Sequence, residues 1–270
     1  MTTYARRILL LCLTVTAAVA LFFVPRFAQD TTYHDFADQR TLWTVPHALN
    51  VLSNLPFVVF GLWGLVDVAF TPRRNGAWEK PVFLVLFLFV TLTGYGSAYY
   101  HARPNNDTLY WDRLPLTVVF MCFFGLLLAD RVLPVAGPWL FVPLVLAGVG
   151  SVTYWHLTEQ AGVGDVRFYA FVQFFPILLI PLILVLFPAR RYRTQDFVAV
   201  LAWYLLAKLL EFLDREVYGA TVFISGHTLK HLAAAVGALW VWVLWRRRLD
   251  ARSLAARTSS LAADRVGQPR

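Results

Sequence analysis

The chain has 270 residues, of which 59% are apolar and 15% charged, with a mean hydropathy of +0.59 and a formal net charge of +8. That composition excludes a disordered chain and a soluble globular domain, and no fixed period points to a solenoid. The basic excess lies between apolar runs, where it sets membrane topology, so no nucleic-acid partner is expected.

A bilayer-crossing helix needs roughly 20 apolar residues, and the chain carries enough for about eight. The first run, 8–24, follows Arg6 and Arg7 and ends at Pro25. A signal peptide shares this layout. The run exceeds the usual signal core, however, and no small-x-small cleavage site follows, which favours a retained anchor. Residues 1–30 therefore read as an anchor helix or signal segment, and 31–46 as an outer-face loop. Seven further runs follow at 47–69, 81–101, 110–129, 138–156, 168–187, 197–214 and 227–245. The expected fold is an all-α polytopic membrane protein, with a seven-helix core (47–248) plus one N-terminal hydrophobic helix. Residues 249–270 are polar and Ala/Ser/Arg-rich, the composition of a disordered basic tail. Pro56, Pro115, Pro176 and Pro181 are expected to kink their spans. Cys12 and Cys122 lie in separate apolar runs and read as inert thiols.

The loops fix orientation. Arg6 and Arg7; Arg73, Arg74 and Lys80; Arg131; Arg190, Arg191 and Arg193; and Arg246, Arg247 and Arg248 fall in alternate connections. The positive-inside rule places these, and the C-terminus, in the cytoplasm. Only 3 of the 24 basic residues are Lys, an arginine bias typical of GC-rich bacterial genomes, which points to a bacterial inner membrane.

Ionisable groups inside spans are costly and are functional candidates by default. Ser97 and His101 close the third run, Asp112 opens the fourth, and His227 and His231 open the eighth. By the topology above all five lie at the non-cytoplasmic end. His227 and His231 are i and i+4, so both imidazoles project from one helix face. With His101 from another helix they supply three nitrogen ligands, the donor set of a catalytic zinc site. Asp112 follows across a short polar turn and could serve as the base. Lys208 and Glu211, i and i+3, read as an intrahelical ion pair. Asn50, Ser53 and Asn54 read as interhelical hydrogen-bonding residues. His156 is placed near the right depth, in interfacial packing.

These residues resemble the motifs of alkaline ceramidases. Gly96-Ser97-Ala98-Tyr99-Tyr100-His101 is similar to their GS-x-Y-x-H, Asp112-Arg113-Leu114-Pro115 to D-x-x-P, His227 to His231 to H-x-x-x-H, and Asn50 to Asn54 to N-x-x-S-N. The family belongs to a seven-helix superfamily that includes adiponectin- and progestin-type receptors and Per1-like proteins. The resemblance implies that His101, His227 and His231 ligate zinc. It implies that Asp112 helps to deprotonate a water and that Ser97 stabilises an oxyanion. The expected activity is hydrolysis of ceramide or a related N-acyl lipid. Members also bind calcium through an acidic cluster and a helix Glu. Here Asp35 and Asp38 occupy the similar region, His47 falls at the Glu position and Arg40 adds positive charge. Calcium prefers oxygen ligands, so calcium and an Asp–Arg surface network both stand as readings. Two rivals to the enzyme are a receptor-like lipid-binding protein with a structural metal, and a transporter.

Overall fold

The computed structural model describes residues 1–72 and 78–266, and among them every long element is helical. Helix α1 (Thr3–Ala20) runs into a single 3-10 turn at Leu21–Phe23 and carries the anchor sequence. The second expected span is divided into α2 (Ala48–Leu52) and α3 (Leu55–Phe70). Next come α4 (Glu79–Ala102), α5 (Asn106–Leu127, closed by a π turn at Leu128–Val132), α6 (Phe141–Gln160) and α7 (Arg167–Leu186). The chain ends with α8 (Thr194–Phe212), the short α9 (Asp214–Thr221) and α10 (Gly226–Val266). The seven-helix core (α2/α3, α4 to α8, α10) and the extra N-terminal helix are both present.

Seven helical segments are long and apolar enough to cross a membrane, α1 included, which makes this an integral membrane protein. Two expectations need correcting. Helix α8 has span length but carries Asp196, Lys208 and Glu211, and it does not share that apolar character. The tail expected to be disordered from residue 249 is helix up to Val266, where Ala, Leu and Arg favour that state. Arg73 and Arg74, expected in a cytoplasmic loop, lie outside the described residues.

The break between α2 and α3 follows from sequence. Pro56 in the first turn of α3 has no N–H to continue a helix from α2. Just before the break the Asn54 N–H turns to the Val51 carbonyl, and the Asn50 carbonyl accepts from Ser53 Oγ (3.0 Å) and Asn54 Nδ2 (2.8 Å).

Helix α4 packs between α3 and α5, and α10 packs on α8 and α3. The shared core is aromatic and aliphatic: Phe83, Leu86, Phe87, Leu126, Ile183, Phe197 and Trp245 are fully or almost fully buried. Outward faces carry exposed Leu62, Trp63, Leu146, Leu178 and Leu209, as a lipid-facing surface requires. Basic residues gather at one end. Arg6 donates to the Leu186 carbonyl, Arg7 to that of Val132 and Arg191 to that of Ala129. The three candidate histidines lie at the other ends of their helices.

Candidate metal centre

Each histidine is set by a local feature of its helix. Helix α10 begins at Gly226, and Ser225 caps it by accepting from the Thr228 N–H (3.1 Å). The free N–H of His227 donates to Asp214 Oδ1 at 2.7 Å. A carboxylate at a helix N-terminus is favourable both as acceptor and toward the dipole. Gly226 is required here: a Cβ would lie 2.2 Å from the Leu210 carbonyl oxygen.

His101 comes one residue before the end of α4 and is brought in by the approach of α4 to α5. Pro115 has no N–H for the Trp111 carbonyl four residues back. That carbonyl instead faces Gly96, where a Cβ would sit 2.1 Å from its oxygen. The glycine thus lets the next residue, Ser97, face the Asp112 carboxylate. The Gly-Ser and Asp-x-x-Pro signatures are two halves of one helix contact.

The imidazoles of His101, His227 and His231 are buried, and their candidate ligand atoms lie within 4.8 Å of one another. The Nε2 atoms of His101 and His227 are 3.3 Å apart. Two nitrogens bound tetrahedrally at about 2.0–2.1 Å would be separated by roughly 3.3–3.4 Å. Ser53 Oγ donates to the Asn50 carbonyl, so it accepts from His231 Nδ1–H at 2.7 Å, which leaves His231 Nε2 with its lone pair free. Asn50 Oδ1 in turn accepts from Thr228 Oγ (2.7 Å), tying α2 to α10. His101 Nδ1 is buried and lacks a partner, whereas its carbonyl accepts from His47 Nδ1 at 3.0 Å. The donor set therefore fits a transition metal favouring imidazole.

Ser97, Asp112 and His231 line one cavity of about 180 Å³. Arg113, Lys208, Glu211 and Lys230 also line it, and its apolar walls include Phe57, Val90, Leu116, Phe123, Ile180 and Val241. Val241 lies ten residues beyond His231, about 15 Å along the helix. The cavity thus carries its charged side chains near the histidine end and is mainly apolar beyond them.

Other expected residues lie elsewhere. His156 stacks on Tyr110 (4.5 Å between rings), and His34 bridges Tyr100 Oη and Asn106 Oδ1, at 2.9 and 3.0 Å. Asp35 is paired with Arg215 (2.6 Å) and Asp38 with Arg40 in a two-pronged contact (2.8 and 2.7 Å). The Arg40 guanidinium holds the Asp38 carboxyl below its usual range. Neither acid joins the histidine group. Glu211 meets Lys208, as the spacing suggested, but also Lys230 (2.5 Å) and the Tyr33 hydroxyl (3.1 Å).

Two features had no sequence signal. Phe36 is buried, with its ring 4.7 Å from that of His101 and 4.5 Å from that of His227, and so forms the lid of the group. Asp214 ties that lid down, since Oδ2 accepts from the Ala37 N–H at 2.9 Å while Oδ1 holds His227.

Fold and site together define an integral membrane protein with a buried three-histidine group able to hold a metal ion. No protein-family model matches the chain, and no curated protein matches it.

Proposed function

We propose that the protein is a zinc-dependent membrane amidase, hydrolysing ceramide or a related N-acyl lipid to a fatty acid and an amine. One observation carries the reading: His231, a member of the three-histidine group, lines one cavity together with Ser97 and Asp112, and much of the rest of that cavity is walled by apolar side chains. His101, His227 and His231 would hold the metal, which when bound polarises a carbonyl and acidifies a water. The remaining work falls to the chain. Asp112 takes a proton from the attacking water and returns it to the amide nitrogen as the C–N bond breaks. The Ser97 hydroxyl donates to the oxygen that gains charge. The apolar walls take the acyl chain and exclude water. The net change adds hydroxyl to the acyl carbon and a proton to the amine. The histidine end faces the non-cytoplasmic side of a bacterial inner membrane and the C-terminus faces the cytoplasm, a reading supported by the clustered arginines at the opposite end.

The test is zinc content of the detergent-purified protein beside a His227→Ala/His231→Ala variant, with amide hydrolysis followed in both. Near-stoichiometric zinc and turnover in the parent, both lost in the variant, are expected. Full lipid-amide hydrolysis by the variant would sink the proposal.

A further inference from the structure

The polar end of the cavity holds more cation than its acids can use. Arg113, Lys208 and Lys230 line it, against Glu211 and Asp112. Glu211 is already engaged by both lysines and by Tyr33, and Asp112 faces Ser97. Arg113 has no carboxylate. Its guanidinium carbon sits 4.5 Å from the ring centres of Trp155 and Tyr169 and 5.4 Å from that of Tyr33. Nη2 donates to Gln29 Oε1 at 2.7 Å, while Nη1 is buried with no partner at all.

An unpaired buried donor on a charged group is expensive. Three aromatic rings and Gln29 nevertheless hold this guanidinium in one orientation, at the residue after Asp112. Each lysine ammonium has three donors, and Glu211 occupies only part of that capacity. A neutral hydroxyl headgroup needs none of this. A carboxylate or phosphate is matched by a planar guanidinium fork and further neutralised by a nearby ammonium.

From this geometry we infer that the preferred ligand is an acylated amine whose amine part carries an anionic group, received by Arg113 with Lys230. The inference rests on the amidase reading for the amide, and on the cavity alone for the charge. It makes Arg113 the residue that selects among N-acyl lipids.

The experiment compares binding of N-oleoylglycine, N-oleoylethanolamine and the phosphate ester of the latter to the full-length protein in detergent. The acyl chain is constant; the headgroup is carboxylate, neutral or phosphate. An anionic ligand should bind at least about tenfold more tightly than the neutral one, as a hydrogen bond to a charged group predicts. Which anion is preferred separates the carboxylate from the phosphate source. Arg113→Gln should bring the ratio close to one, and Arg113→Lys should restore part of it. If Arg113→Gln fails to fold, Lys230→Gln supplies the same comparison. Equal or tighter binding of the ethanolamide by the parent protein overturns the inference, as does a preference that survives Arg113→Gln. Hydrolysis of the same compounds is scored separately. Absence of turnover counts against the amidase, while the binding ratio still decides the charge.

Discussion

The two ends of the bundle differ in what their buried ionisable residues leave over. At the arginine end three buried acids and the half-buried Asp67 each have a basic partner. Asp130 meets Arg131 at 2.8 Å, Asp67 meets Arg246 at 2.9 Å, Asp196 meets Arg247, and Glu79 meets Arg248 at 3.4 Å. At the histidine end, three imidazoles turn ring nitrogens toward one another, and Arg113 keeps an unpaired donor. Burying a charge costs several kcal/mol unless it is matched. The first end gives each of these acids an arginine and reads as structure. The second pairs Glu211 with two lysines but leaves Arg113 without a carboxylate beside the three imidazoles, as expected of a place that receives an ion or a ligand.

Variants at each end should therefore separate stability from chemistry. The largest effect expected is Arg131→Met, which strands the fully buried Asp130 and should destabilise the fold by about 3–5 kcal/mol. Thermal unfolding in detergent reads this, and zinc per folded molecule should stay unchanged. Ser97→Ala should do the reverse, with kcat falling about 10²–10³-fold, or about 3–4 kcal/mol, and little change in melting temperature. A Ser97→Ala enzyme with undiminished turnover would remove its oxyanion role. Ser53→Ala deletes the acceptor that fixes the His231 tautomer. Metal affinity should fall about 10–100-fold in a competition titration with a chelator. The smallest effect is one of pH. Burial, aided by Arg113, pushes the His34 imidazole below its usual value against the opposing Asn106 hydrogen bond. Its neutral form is the one the fold prefers, so its contribution is complete above the unfolded value near 6.5. That contribution drains away as pH falls through the lower folded value. Amide protection factors in residues 31–46, taken against intrinsic exchange at each pH, should fall from pH 7 to pH 5, and His34→Gln should flatten the change.

Hydropathy made the spans visible because a lipid-crossing helix is selected on composition along its whole length. The histidine group was visible for a similar reason: the i, i+4 spacing of His227 and His231 is local, and a third imidazole near a helix end is rare in apolar sequence. What sequence could not show depends on contacts between distant segments. Phe36 is one apolar residue in a loop until α4 and α10 close beneath it. Arg113 looks like any charge at a helix start until Trp155 and Tyr169, from two other helices, enclose it. Asp214 marked the end of a span, and only the α9 turn carries its carboxylate back to His227. The charge on α8 was present in the sequence. Lys208 and Glu211 were read as a pair, and the third partner, Lys230, comes from α10.

The arginines of the first helix impose a schedule on synthesis. Arg7 is satisfied by a carbonyl 125 residues further along the chain and Arg6 by one 180 residues further. At about 5–20 residues per second, the acceptor for Arg6 emerges from the ribosome roughly 10–40 s after the arginine itself. Through that interval the first helix lacks that acceptor. Its arginine contacts are complete only once α7 has been made, so the segment made first is not the first to be fixed in place.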